Sequence, residues 1–292
     1  MSTTLDTSVS QTTRSQRRIR IQLDRVLTHL VLWSIGVLYI YPFLWMLAGS
    51  LKSVGGFFTE GLSIIPDAWR WQNYIDAWTQ ANFGTYFGNT VFVAFWIVLL
   101  TNIFSSMAAC ALARTQLPGK KVFLAIITLT LFLPRGYTII PIYEIILWLG
   151  LNDTLWAVVL VDMSGGLIFF TFLYFGFFTT INREIQEAAI IDGASFPRLY
   201  WNIVMPLSTP MIATVTLFSF RDSWNEFFIP LVFTLGRPEL RTLTVGMAAF
   251  VGENSTDWTL MCAGAVITIL PIVVVFVFLQ RYFIEGIAGA VK

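Results

Sequence analysis

Asp162 stands in the run 155–178 and Arg221 in the run 204–227, both long apolar stretches. A charge in such a place is expensive in hydrocarbon and marks a functional position by default. If the first run descends from one membrane face and the second climbs back to it, helical rise puts Asp162 about 10 Å below its starting face and Arg221 about 25 Å above its own. Those depths are similar. Two readings follow: the charges face the bundle interior as an ion pair or along a polar solute route, or they are a structural pair with Arg221 snorkelling towards an interface. A second constellation lies between the runs, at 182–210. Glu184, Glu187, Ala188, Ile191 and Asp192 keep helical spacing, Gly193 permits a turn, and Pro197, Pro206 and Pro210 limit how a helix continues. This pattern predicts a short amphipathic helix outside the hydrocarbon, then a bend, then a new membrane helix. Such a helix either offers its carboxylates to a soluble partner or simply joins two spans. No catalytic chemistry stands beside these groups. Pro118-Gly119-Lys120-Lys121 is not a phosphate-cradling loop, no nucleophile has a base at hand, and His29, the single histidine, makes no metal cluster with Cys110 or Cys262.

The elements that must hold these residues are membrane helices. Of 292 residues 56% are hydrophobic and 12% charged, against about 25% charged in an ordinary soluble chain. So much apolar surface cannot be hidden in one aqueous core. The predicted spans are 26–51, 86–112, 122–149, 155–178, 204–227 and 258–279, each long enough for the roughly 20 residues a crossing takes. The third is interrupted by Pro134-Arg135-Gly136 and Pro141, as expected of a broken helix beside a cavity. Residues 1–22 read as a disordered or peripheral tail. The loop 52–85 carries Phe57, Phe58, Trp69, Trp71, Tyr74 and Trp78 and reads as a partly structured outer segment near the interface, with 231–257 the second sizeable outer loop. Arg14, Arg17, Arg18, Arg20, Arg25, Arg114, Lys120, Lys121, Arg183, Arg198, Arg281 and Lys292 fall on one side, and Lys52, Arg70, Arg135, Arg237 and Arg241 on the other. The positive-inside rule then puts both termini in the cytoplasm. The domain reading is a tail at 1–25, a six-span domain at 26–281 containing the docking segment 182–198, and a tail at 282–292. The two cysteines can pair only if their helices meet; otherwise they are buried free thiols.

Glu187-Ala188-Ala189, Asp192-Gly193-Ala194, Pro206 and Pro210 resemble the long signature of the permease subunits of binding-protein-dependent ABC importers. Trp224-Asn225-Glu226 with Pro230, Pro271, Gln280-Arg281 and the end 286–292 extend the likeness to the sugar-importer branch, and within it to the family of the maltose permease component G. The resemblance covers nearly the whole chain beyond its N-terminal tail. It implies an all-α integral membrane fold of six transmembrane helices with a cytoplasmic coupling helix, in which Glu184, Glu187, Ala188, Ala189, Asp192 and Gly193 transmit ATP-driven closure. It implies as partners a homologous permease subunit, an ATPase dimer holding ATP and Mg²⁺, an extracytoplasmic solute-binding protein and a carbohydrate, with no nucleic acid. The place would be a bacterial or archaeal cell membrane.

A polar solute needs a wet route, because its hydroxyls cannot enter lipid without partners. Asn89, Thr90, Asn102, Ser105, Ser106, Ser164, Thr216 and Ser219 are candidate contacts, although such residues commonly serve packing. Phe220 or Trp224 is a candidate to stack on a sugar face, with Asn225 beside them; Trp224-Asn225-Glu226 can equally hold the outer end of its helix. Three alternatives stay open: an ion-gradient-driven transporter with Asp162 as the coupling group, an ABC permease for a non-sugar solute, and a scaffold without transport.

Overall fold

The computed structural model describes residues 5–80, 82–115, 118–132, 135–251 and 256–290, with side chains described within 25–282 except those at 135 and 249. Pro134, the loop residues Gly252, Glu253 and Asn254, and the terminal Val291-Lys292 lie outside the described residues. The fold is all-α, and a helix is one of the two ways, with the closed barrel, in which a chain satisfies its own backbone hydrogen bonds in lipid. The helices are α1 (Leu5–Gly49), α2 (Val54–Thr59), α3 (Gln72–Gln80), α4 (Phe83–Arg114), α5 (Lys120–Thr130), α6 (Ile139–Trp148), α7 (Leu155–Thr180), α8 (Arg183–Ile191), α9 (Phe196–Leu199), α10 (Met205–Leu207), α11 (Thr209–Asn225), α12 (Phe228–Phe233), α13 (Leu243–Gly246) and α14 (Trp258–Ala290). Among the described residues four helices are long and apolar enough to cross a membrane: Arg25–Gly49, Phe83–Arg114, Leu155–Thr180 and Trp258–Tyr282. The pair Phe196–Leu207 and Thr209–Asn225, bent by 79°, makes a fifth if it is one span. The chain is thus a multi-pass membrane protein.

Two departures from the sequence reading, and one interruption that it expected, have local causes. The N-terminal tail is helical from Leu5, continuous with α1; no glycine or proline stands between Leu5 and Gly36 to end that helix. The run 122–149 is two short helices, α5 and α6, joined through a 3₁₀ turn at Arg135–Thr138. Pro141 falls in the first turn of α6, where its missing N–H costs no helical bond. The climb expected from 204 begins instead with α9, a π-helical turn at Tyr200–Val204 and α10, and bends at Ser208 before α11. Pro197, Pro206 and Pro210 each occupy an opening turn, so the prolines start these pieces rather than break them.

α4 is the central post. One cluster joins its N-terminal half (Val93, Ile97) to the start of α7 (Ala157, Val158, Val161), and another joins its C-terminal half (Ala109, Cys110) to the end of α7 (Tyr174, Phe178). The two helices therefore run parallel. α11 runs against them, with Val215 beside Ala109 and Trp224 beside Ala94 and Phe83. α14 packs along α11, and both α3 and α1 lie against α14. Gly246 of α13 meets α4 so closely that a Cβ would collide with the ring of Tyr86. Cys110 and Cys262 are buried free thiols.

The loop after α1 is a built element. Tyr41 Oη and Trp45 Nε1 donate to the carbonyls of Leu62 and Gly61 at 2.7 and 3.1 Å, and the buried Asn73 donates to the carbonyls of Ser50 and Lys52 at 2.9 and 2.8 Å. Lys52, counted from sequence among the outer-loop charges, is 1% exposed; its Nζ donates to Ser63 O at 2.8 Å and lies 3.4 Å from Glu60 Oε2. Removing one member of a buried pair strands the other, so Lys52→Met is expected to loosen 53–73 by about 3 kcal/mol. Faster proteolysis in this loop, with the rest of the chain unchanged, checks it.

Candidate functional site

The acidic helix read from sequence is α8, and its ends explain its length. The Asn182 side chain accepts from Glu184 N at 3.1 Å, capping the first turn. At the other end Gly193, with φ +78°, donates to Ile190 O at 3.0 Å, and Ala194 donates to Ala189 O at 2.9 Å. This is a Schellman stop, which needs a residue at ease with positive φ. α8 presents three distinct faces. Ala189 is buried in a cluster with Phe178, Leu199 and Tyr200, so it packs on its own chain. Ile185, Ala188 and Asp192 lie on another face and are exposed, with Glu184 and Ile191 beside them; Ile191 is 85% exposed. Arg183, Glu187 and Ile190 turn towards a polar cleft shared with Arg114, Thr115 and Lys120.

From the region after α8 a polar chain runs into the bundle. Tyr200 Oη and Ser106 Oγ are 2.6 Å apart. One turn away on α4, Asn102 accepts from Tyr174 Oη at 2.6 Å and donates to Thr216 Oγ1 of α11 at 3.2 Å. These bonds tie α4, α7, α11 and the π turn together. Most other polar candidates serve structure: Asn89 donates to the carbonyls of Glu239 and Arg241, Thr90 accepts from Leu243 N, and Ser105, Ser164 and Ser219 bond carbonyls of their own helices. Asn102 and Thr216 alone among them line a groove of about 530 Å³, together with Phe87, Phe95, Phe220 and Trp224.

Arg221 pairs with its neighbour in sequence, Asp222, at 2.6 Å. Both members are about half exposed on this chain, and Asn225 Nδ2 donates to Arg221 O at 2.8 Å. Asp162 and Asp222 line one small cavity with Thr101, Ser219 and Ser223, so the two helices do bring acidic groups to one level. Sequence reasoning missed Asp222; an Arg-Asp dipeptide inside an apolar run was the available signal. Trp224 is 1% exposed, stacks on Phe220 with centroids 5.1 Å apart, and donates from Nε1 to Thr268 O at 2.9 Å. It is a core residue binding α11 to α14, which leaves Phe220 as the accessible ring of the two. Trp224→Phe is expected to cost about 1–2 kcal/mol, read as a lower melting temperature in detergent. Among the described residues no group of three His, Cys, Asp or Glu could hold a metal ion.

Residues 21–288 match the family model described as the binding-protein-dependent transport system inner membrane component. The chain belongs to this family. Similar members include the Melibiose/raffinose/stachyose import permease protein MelC of Bacillus subtilis, 34% identical and covering 94% of this chain and 99% of that one. The Diacetylchitobiose uptake system permease protein NgcG of Streptomyces coelicolor is also 34% identical, over 90% and 85% of the two chains. A solved structure of a bacterial ABC transporter involved in the import of the acidic polysaccharide alginate contains a chain of the same fold, with TM-score 0.77 and 23% identity over 90% of this chain and 97% of that one. In this inner membrane component the features that sequence reasoning left unseen are tertiary: the Tyr174 and Tyr200 hydroxyl contacts, the buried Lys52–Glu60 pair and the three-way division of α8.

Proposed function

We propose that this chain is the membrane-spanning permease subunit of an ATP-driven, binding-protein-dependent importer whose solute is a carbohydrate. It forms half of the translocation pathway with a homologous permease subunit. An ATPase dimer binds and hydrolyses ATP with Mg²⁺, and a solute-binding protein delivers the sugar from outside. Sugar import in the names of two relatives that align along most of their length supports the solute class. The six-span topology with both ends in the cytoplasm is part of the proposal. Its support is the parallel course of α4 and α7, which obliges the broken segment α5–α6 between them to return across the same thickness.

The observation that carries the coupling role is α8 itself. It is a capped, sharply terminated helix, anchored inward by Ala189 and open outward at Glu184, Ile185, Ala188, Ile191 and Asp192. A rigid short helix of this kind transmits a push from a soluble partner. Glu184 and Glu187 offer charge-assisted hydrogen bonds, Ala188 permits close approach, and Gly193 fixes the exit. The push reaches α11 through the cluster shared by Ala189 and Tyr200 and through the Ser106, Asn102 and Thr216 contacts. On α11, Phe220, Arg221, Asp222 and Asn225 form the accessible outer half, and Asp162 approaches from α7. An Arg–Asp pair half exposed in a membrane helix belongs against a water-filled route or a partner subunit, because lipid would strand it. Dependence on a binding protein removes the ground for ion-gradient coupling through Asp162 and for a scaffold without transport.

The test is a tagged purification in mild detergent followed by mass spectrometry of what accompanies the chain. An ATPase, a second permease and a solute-binding protein are expected, and a ligand screen of that binding protein is expected to return a sugar. Uptake that persists in vesicles without ATP, from a chain that purifies alone, would overturn the reading. A binding protein specific for a non-carbohydrate would overturn its solute class.

A further inference from the structure

A cleft of about 700 Å³ lies between the inner end of α4, the start of α5 and α8. Arg114, Lys120 and Arg183 line it against a single carboxylate, Glu187. Among the described residues none of the three cations is ion-paired. Arg114 is engaged by carbonyls, with Nη2 2.9 Å from Phe178 O, and Lys120 Nζ sits 5.2 Å from the centroid of the Phe175 ring. Three cations gathered around one cleft repel each other unless an anion joins them. The surroundings are those of a membrane surface. Beyond Lys120 the first turns of α5 expose Val122, Phe123 and Ile126, and Ile190 lines the cleft while being half exposed. A basic pocket therefore opens directly onto an apolar stripe.

We infer that this cleft binds the phosphate headgroup of an anionic phospholipid, with the acyl chains lying along α5. Basic pockets between membrane helices on the cytoplasmic side take such headgroups, and each cation contributes about five-fold in affinity. An acidic patch of the ATPase is the rival occupant. The geometry favours the lipid, because Arg183 and Ile190 lie on the side of α8 roughly opposite Ile185, Ala188 and Asp192, the face left free for docking, with Glu187 at the border between the two sides. A docked ATPase can thus leave the cleft open to the membrane. The inference goes beyond the transport reading and needs only that the cleft lie at a membrane surface.

The test is native mass spectrometry of the complex purified through this chain, exchanged into phosphatidylcholine nanodiscs carrying one-tenth phosphatidylglycerol. Retained phosphatidylglycerol is counted as detergent is raised. The intact complex is expected to hold one phosphatidylglycerol that the double variant Lys120→Ala/Arg183→Ala loses, with apparent affinity down about twenty-five-fold for the two cations. Lys121→Ala, which removes an equal charge from the same turn of α5 but does not line the cleft, is expected to behave as the intact chain, and a normal melting temperature shows that the double variant is folded. Equal retention by the double variant, or equal retention of phosphatidylcholine, overturns the site. Binding of glycerol 3-phosphate by calorimetry without lipid retention overturns the lipid in favour of a soluble phosphate. Lipid bound only after the ATPase has been stripped away assigns the cleft to the ATPase and also overturns the proposal.

Discussion

Ala188→Asp is expected to leave the chain folded in the membrane while cutting both ATPase copurification and ATP-driven uptake about 100-fold, equivalent to about 2.7 kcal/mol of docking energy. Ala188 is exposed between the exposed Ile185 and Ile191. The Asn182 cap and the Gly193 stop do not involve its side chain. A new carboxylate there harms only what lands on α8, where it must be desolvated without a partner. The next residue should fail in the opposite way. Ala189 is 7% exposed among Phe178, Leu199 and Tyr200. Ala189→Phe overpacks that cluster at a cost of about 1–3 kcal/mol, so it should lower the melting temperature and the yield of the chain itself. Thermal unfolding in detergent, run beside a pull-down of the ATPase, separates the two. If Ala188→Asp keeps its ATPase and its uptake, α8 is a connecting loop and the coupling proposal fails.

Asn102→Leu is expected to reduce solute imported per ATP hydrolysed about ten-fold while leaving ATP hydrolysis within a factor of two. Hydrogen bonds between membrane helices are modest, averaging about 0.6 kcal/mol, so the fold should survive the change. What is lost is the link that fixes α4 to α7 through Tyr174 and to α11 through Thr216. With that link gone, a push on α8 can move the inner helices without carrying α11. Tyr174→Phe removes one of the same bonds from its other end and should give a similar phenotype. The double variant should be no worse than Asn102→Leu alone, which is the signature of residues acting as one unit. Uptake and hydrolysis in reconstituted vesicles measure both quantities. Parallel loss of the two activities would show that the contact supports folding rather than coupling.

How much of this was legible in advance varies from residue to residue. The apolar runs were unmistakable, because a chain with 12% charged residues has no other way to hide its surface. α8 was legible to within a residue or so, because its cap, its helical period and its stop at Gly193 are all local devices written in adjacent residues. The bent entry to α11 was half legible: its prolines announced interruptions, but their ability to open helices depended on which turn each fell in. Partners across the bundle could not be read. Arg221 was matched by depth with Asp162, and the carboxylate of Asp222, one position away and 2.6 Å from it, was overlooked, because periodicity says nothing about distances between side chains. Trp224 looked like a ring for a sugar, but only the packing of α11 on α14 made it a core residue with Thr268 O as its acceptor. By itself, then, the sequence determined a helical membrane protein with a short acidic helix between its spans, since hydropathy and capping act over a few neighbouring residues. The tertiary structure decided which charges pair, which polar side chains are spent on structure and which face of α8 stays open, because each depends on contacts between residues far apart in the chain.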